Sequence, residues 1–293
     1  MKIFLLGKDG QLGRALNKSL SEDYEVYAYN KKELNLLDFK KLKEEILTVN
    51  PDIIINAAAY TKVDLAEQEQ ELSMAINANS LNLIADMTKS CKARLIHYST
   101  DYVFDGTSEK AYQEDDLTNP INYYGYTKLE GEKNILKSGC NYFIFRTSWV
   151  VSSFGKNFVN NIIDLASKKD SLNIITDQIG VPTSVDLIST ITKEFILKSR
   201  SKKNGIYHLV PNGLTSWYEL ARYIVNYLEK KNYKLNLNVK NINPILTKDF
   251  NSKTKRPLNS LLSNNKISKE INYKIEDWNM SIDKILDEII LKI

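Results

Sequence analysis

Five short apolar runs mark the first half of the chain, at residues 2–6, 25–29, 53–59, 94–99 and 141–147, and turn-forming or polar residues follow each. Runs such as Ile53-Ile54-Ile55 are continuously apolar, as expected of parallel strands buried on both faces. The segments between them repeat at a helical period. Leu12, Ala15, Leu16 and Leu20 predict one helix; Leu42, Ile46 and Leu47 predict a second over 38–50, with Asp38 as its cap. Leu72, Ala75, Ile76, Leu83, Ile84 and Met87 predict one long helical region over 65–89. Asn77 lies within it beside inward-facing Ile76, where a polar side chain can support a site by hydrogen bonding. Strands alternating with helices predict an α/β fold with a doubly wound parallel sheet.

Beyond residue 150 the pattern loosens. Short strands are expected at 172–176 and 205–210, with helices from Phe158 onward, at 186–197, 216–228 and 280–291. No repeat or low-complexity linker separates this half. The expected organisation is a cofactor domain over 1–150, whose sheet also receives elements from about 172–210, and a smaller, interleaved substrate-binding lobe over 151–293.

Composition narrows the function classes. Of 293 residues, 43% are hydrophobic and 26% charged, as in an ordinary globular protein. A net charge of +4 with interleaved acids gives no nucleic-acid footprint. No apolar run approaches the roughly 18 residues of a membrane span, and the one after Lys2 stops at Gly7, too soon for a signal peptide, so a cytoplasmic protein is expected. Cys91 and Cys140 lack a CxxC partner, and His97 and His208 sit singly in apolar strands, so no metal site is expected. Lys202-Lys203 and Lys230-Lys231 are placed near helix ends, where cations complement the dipole.

Candidate chemistry begins at the first turn. Gly7, Gly10 and Gly13 form GxxGxxG between a strand and a helix, the placement in which a Rossmann-like fold receives a dinucleotide pyrophosphate. At the end of the second strand stands Asn30, where such folds usually carry an acid for the adenosine ribose. Asn30 with Lys31 and Lys32 leans toward NADPH, with NADH as the second choice. Asp38 and Phe39 either cap a helix or flank the adenine. Ala57-Ala58-Ala59 would let a flat cofactor lie against the backbone. Thr100 ends the fourth strand, and Tyr124 is followed at i+4 by Lys128, on the same helical face. An ammonium near a phenol lowers its pKa, and a hydroxyl can fix its position. This trio suits proton donation to a carbonyl oxygen as hydride reaches carbon. The acidic loop 106–120 can serve as a lid, and Arg256, in KTKRPLNSLL, can meet an anionic ligand.

These features together resemble the extended short-chain dehydrogenase/reductase superfamily, and within it the dTDP-4-dehydrorhamnose reductase family. The resemblance rests on GKDGQLG at Gly7, NAAAYTKVDLAE at Asn56, YSTDYVFDG at Tyr98, YGYTKLEGE at Tyr124, FRTSWV at Phe145, DQIGVPT at Asp177, YHLV at Tyr207 and RPLNSLL at Arg256. It implies NAD(P)H-dependent reduction of a dTDP-4-keto sugar. It also implies that Tyr124 is the acid, that Lys128 tunes it and holds the nicotinamide ribose, and that Thr100 binds the ketone oxygen. Gly10, Gln11 and Leu12 would contact pyrophosphate, Asp38 and Phe39 the adenosine, and Ala57, Ala58 and Tyr60 the cofactor cleft. Thr61, Val63, Tyr102 and Trp149 would face the sugar. Some members dimerise through a metal held by helix carboxylates; Arg14, Ala15 and Leu16 occupy that region here. A metal-bridged dimer is therefore not expected, while a homodimer of another kind stays open. Two further readings remain: a nucleotide-sugar epimerase or dehydratase of the same superfamily, and a regulatory subunit resembling the methionine adenosyltransferase β subunit.

Overall fold

The computed structural model describes residues 1–198 and 204–292; the expectation for Lys202-Lys203 lies outside the described residues. In chain order the first half forms β1 (Lys2–Leu6), α1 (Gln11–Leu20), β2 (Glu25–Tyr29), α2 (Phe39–Val49), β3 (Ile53–Asn56), α3 (Val63–Ala66), α4 (Gln70–Met74), a π-helical turn (Ala75–Asn79), α5 (Ser80–Ser90), β4 (Arg94–Thr100), α6 (Tyr123–Ser138) and β5 (Asn141–Thr147). The second half adds β6 (Val150–Val151), α7 (Phe158–Lys168), β7 (Leu172–Ile175), β8 (Ile179–Gly180), β9 (Thr183–Ser184), α8 (Val185–Lys198), β10 (Gly205–His208), β11 (Thr215–Ser216), α9 (Trp217–Lys230), β12 (Ile242–Ile245), α10 (Asn265–Ile271) and α11 (Trp278–Ile290).

The main sheet is parallel, in the order β10-β5-β4-β3-β1-β2. Alternation within its strands feeds two cores. Ile3, Leu5, Ile53, Ile55, Ile96 and Phe143 point toward α1, α8 and α10, whereas Phe4, Leu6, Ile54, Leu95 and Ile144 point toward α2, α5 and α6. The order in which strands are added reverses between β1 and β3, and the carboxyl ends at such a switch form the crevice where open α/β sheets bind ligands. A third core joins α7, α9 and α11 with β7 and β12 as the second lobe. Among the described residues between 172 and 210, only β10 enters the main sheet; β7 pairs with β12 instead.

Two predicted elements are shorter than their apolar runs. β3 stops at Asn56: the Ala57 N–H makes a last bond to the Leu6 carbonyl at 3.0 Å, and the Asn56 side chain then turns back to accept the Ala58 N–H at 3.1 Å, which peels Ala58 onward out of the sheet. The region predicted as one helix over 65–89 is broken into α3, α4, the π turn and α5. The chain leaves the helix at residues 67–69, and from 70 to 90 it is continuous through the π turn, which carries buried Asn77, whose Oδ1 accepts the Tyr60 N–H at 2.8 Å while Nδ2 donates to the Tyr60 carbonyl and to Thr127 Oγ1, each at 3.0 Å. No helix among the described residues is long and apolar enough to cross a membrane.

Candidate active site

The turn after β1 is built for close approach. Gly7 has a φ of +91°, and both its N–H and that of Lys8 donate to the Tyr29 carbonyl, at 2.8 and 3.1 Å. A Cβ on Gly7 would meet the Ala57–Ala58 backbone at 2.8–3.0 Å, so turn and β3 end are in contact. On Gly13 a Cβ would lie 2.0 Å from the Gly7 carbonyl oxygen, which locks α1 against the turn. Gly10 caps α1 without a side chain. First-turn N–H groups, here those of Gln11 and Leu12, have no acceptor within their helix, and an anion can take that place. The cradle therefore fits a dinucleotide pyrophosphate. The Gln11 side chain is otherwise engaged: Oε1 accepts from Ser152 Oγ at 2.6 Å and from Asn157 Nδ2 at 2.8 Å, clasping the second lobe.

At the end of β2, Asn30 is committed to its own turn, its Oδ1 accepting the N–H groups of Lys32 and Glu33 at 2.9 and 3.0 Å. Lys31 and Lys32 are exposed. Glu33, which the sequence reading passed over, receives the Asn30 N–H and an ion pair from Lys8 at 2.7 Å; Lys8 and that N–H hold its carboxyl below the ordinary range. The Asn30-x-x-Glu33 spacing, the pattern of a reciprocal capping box, was the available signal. Asp38 is a helix cap, accepting the Lys41 N–H at 3.0 Å, and Phe39 beside it is exposed.

Thr100, Tyr102 and Tyr124 come together at the carboxyl end of β4. Thr100 Oγ1 accepts the Tyr102 N–H at 3.2 Å and donates to Asp101 Oδ1 at 3.0 Å. Asn122 caps α6 by accepting the Gly125 N–H at 2.8 Å, and its Nδ2 donates to the Lys255 carbonyl at 3.0 Å, which ties the basic loop to the start of that helix. Tyr124 then meets Tyr102 edge to face, with ring centroids 5.8 Å apart. The adjacent Tyr123 and Tyr126 turn to each other instead, at 5.7 Å. Burial raises Asp101 to about 6, against opposing hydrogen bonds that include Thr100. From the sequence Asp101 counted only as weak support for the epimerase or dehydratase reading; its burial was not foreseen, because an acid beside a strand end is ordinarily solvated.

One expectation is reversed. Lys128 was expected to lower the phenol's pKa, yet burial and the charge of Asp101 raise Tyr124 well above its ordinary value, with the Thr100 hydroxyl opposing. The reason is where the amine goes. Lys128, 2% exposed, donates from Nζ to the Tyr98 carbonyl at 2.6 Å and lies 3.2 Å from His97 Nε2. Burial lowers its own pKa to about 8, with Glu132 opposing. A neutral phenol is the form that can donate a proton.

Around this cluster, Tyr60 is held by Asn77, Thr61 is exposed, and Val63 opens α3. Arg256 reaches Asp64 at 3.1 Å, so the basic loop closes over α3. Trp149 has a φ of +45° and stacks on Trp217, with centroids 3.4 Å apart and planes 11° from parallel. Trp217, also missed, donates its indole N–H to Gln178 Oε1 at 3.2 Å. Loop 106–120 is a fastened strap, not a free lid. Arg146 donates to the Glu114 carbonyl at 3.3 Å, the His208 N–H donates to the Glu114 carboxylate at 2.9 Å, and the Tyr112 N–H donates to the Leu261 carbonyl at 2.8 Å. Among the described residues no group of three or more His, Cys, Asp or Glu side chains is placed to hold a metal ion.

The family model described as the RmlD substrate binding domain matches residues 1–291. The dTDP-4-dehydrorhamnose reductase of Escherichia coli K12 is 37% identical over 295 residues, covering 99% of this chain and 98% of that protein. The chain belongs to the dTDP-4-dehydrorhamnose reductase family. Two solved structures of dTDP-4-dehydrorhamnose reductases are similar throughout. One, from Bacillus anthracis in complex with NADP, has a TM-score of 0.89 at 32% identity, covering 100% of this chain and 99% of that one. The other, from Clostridium acetobutylicum, has a TM-score of 0.91 at 31% identity, with both chains fully covered. Membership of the dTDP-4-dehydrorhamnose reductase family makes this chain an oxidoreductase of the extended short-chain dehydrogenase/reductase superfamily with an NAD(P)-binding Rossmann fold, acting in nucleotide-sugar biosynthesis.

Proposed function

We propose that the protein reduces the C4 ketone of dTDP-4-dehydro-β-L-rhamnose to give dTDP-β-L-rhamnose, with NADPH preferred over NADH. The observation that carries this reading is the meeting of Thr100, Tyr102 and Tyr124 at the carboxyl end of β4, two strands from the glycine turn of β1. The first-turn N–H groups of Gln11 and Leu12 would hold the pyrophosphate, Ala57, Ala58 and Tyr60 would line the cleft, Asp38 and Phe39 would flank the adenosine, and Lys128 would hold the nicotinamide ribose. A reduced nicotinamide bound there supplies hydride to the ketone carbon. Tyr124 gives its phenolic proton to the oxygen on which charge develops, and Thr100 donates a hydrogen bond to the same oxygen. Thr61, Val63, Tyr102 and Trp149 face the sugar, and Arg256 the diphosphate. Exposed Lys31 and Lys32 support the preference for NADPH, because Lys8 neutralises the nearby Glu33 carboxylate; the similar Bacillus anthracis enzyme was solved with NADP. Residues 1–150 serve mostly as the cofactor domain and 151–293 as the substrate lobe.

The test is stoichiometric oxidation of NADPH by the purified protein on addition of the 4-keto sugar nucleotide. Tyr124→Phe should lower kcat by on the order of 10² or more with cofactor affinity retained. Full activity in that variant removes Tyr124 from the mechanism. Conversion with no net cofactor oxidation makes the protein an epimerase or dehydratase, and absence of turnover favours a regulatory role.

A further inference from the structure

His97 lies on β4 beneath the active site and is almost wholly buried. Its two ring nitrogens face different groups: Nδ1 is 3.3 Å from Nδ2 of Asn56, and Nε2 is 3.2 Å from Nζ of Lys128. The Asn56 amide has one orientation open to it, because its Oδ1 accepts the Ala58 N–H at 3.1 Å and its NH2 group must therefore face the imidazole. An amide NH2 only donates, so Nδ1 accepts and is bare. A neutral imidazole with a bare Nδ1 carries its proton on Nε2. That N–H points at Lys128. An ammonium has three donors and no lone pair, so an ammonium there would set donor against donor. A neutral amine instead accepts from His97 and still donates to the Tyr98 carbonyl at 2.6 Å.

We propose that Asn56 and His97 form a positioning relay that holds Lys128 as the neutral amine before cofactor and substrate bind. The other groups facing Lys128 are few. On its own helix stand Tyr124 and Glu132; Glu132 favours the ammonium but is engaged by Arg146 through contacts of 3.0 and 2.7 Å. The π turn packed on α6 carries no charged side chain, and residues 101–103 bring Asp101. The other helices against α6 bring the exposed Asp64 and Glu71, and Asp86 and Lys89 from α5. Burial of Lys128 acts in the same direction as the relay, down to about 8, and burial also keeps His97 neutral.

The proposal rests on the role assigned to Lys128, and its first test, the tautomer of His97, needs no turnover. The chain has two histidines, so nitrogen-15-labelled histidine gives two imidazole spin systems, assigned with His208→Gln. His208 is the internal reference: its Nδ1 faces the Tyr112 carbonyl at 3.1 Å, and a carbonyl only accepts, so it carries the opposite proton. In ligand-free protein at pH 8.5, two-bond nitrogen–proton correlations should show the Nε2–H tautomer for His97 and the Nδ1–H tautomer for His208. An Nδ1–H tautomer or an imidazolium at His97 overturns the relay. Asn56→Asp replaces the donor with an acceptor, which should flip His97 to Nδ1–H and move the basic limb of kcat/KM for NADPH up by about one pH unit or more. An unchanged tautomer in that variant also overturns the proposal. A wild-type protein that shows the expected tautomers but turns over no sugar nucleotide would overturn the proposed function and leave the relay standing.

Discussion

Glu132 and Arg146 form a buried ion pair one helical turn from Lys128, and its rupture has a calculable cost. Arg146 donates from Nε to Oε1 at 3.0 Å and from a terminal nitrogen to Oε2 at 2.7 Å, and the side chains are 3% and 0% exposed. Glu132→Gln keeps the shape and one acceptor but leaves the guanidinium charge uncompensated. Removing one partner of a buried pair costs about 3–5 kcal/mol. The retained acceptor, the Glu114 carbonyl at 3.3 Å and the Phe104 ring 5.1 Å from the guanidinium carbon favour the lower end, about 3 kcal/mol. For a chain of this size that lowers the melting midpoint by roughly 5 °C. Calorimetry or thermal circular dichroism reads it directly. The double variant Glu132→Gln/Arg146→Met should recover most of the loss, because it leaves no uncompensated buried charge. A single-variant loss below about 1 kcal/mol, or no recovery in the double variant, would refute the reasoning. The same substitution has a second readout: Glu132 favours the charged form of Lys128, so Glu132→Gln should push Lys128 further toward the neutral amine and shift the basic limb of the activity profile to lower pH.

Gly13→Ala places a Cβ 2.0 Å from the Gly7 carbonyl oxygen and 2.9 Å from the Lys8 Cα, both backbone, so the turn itself must move. It should cost about 1–3 kcal/mol and weaken cofactor binding at least tenfold by fluorescence titration; unchanged affinity would dissociate the turn from the cofactor. Burial raises Asp101 to about 6, above the usual value near 4 in the unfolded chain. The protonated form is therefore favoured by folding, and its contribution is complete below pH 4 and lost as pH rises through about 6. Asp101→Asn should remove that decline and add about 2–3 kcal/mol at pH 7 in denaturant titrations; a variant no more stable than wild type would count against it. Replacing Lys31 and Lys32 together by Ala should raise the Michaelis constant for NADPH and spare that for NADH. Equal effects on both cofactors would sink the stated preference.

Elements whose signal is local were legible in the chain. Alternation in β1 and β3 sends Ile3 and Ile55 to one core and Phe4 and Ile54 to the other, and the continuous apolar runs announced this double burial. The glycine spacing marked the turn, and the i+4 spacing put Tyr124 and Lys128 on one helix, because both are statements about a few consecutive residues. What neighbours across the sheet do was not legible. The periodicity of 65–89 is continuous, yet the chain leaves the helix at 67–69 and then carries a π turn, in which Asn77 satisfies the buried polar groups of Tyr60 and Thr127.

The same division runs through the candidate site. By itself the sequence determined the parallel strands, the glycine turn, the placing of Tyr124 and Lys128 on one helix and the family, since these depend on residue types at short spacing and on their order. The tertiary structure alone decided that Lys128 faces His97 rather than the phenol, that Arg256 pairs with Asp64, that Trp149 stacks on Trp217 and that loop 106–120 is strapped down. Those partners lie tens of residues or more apart in the chain, and no local pattern records which of many polar groups a buried side chain will meet when packing closes.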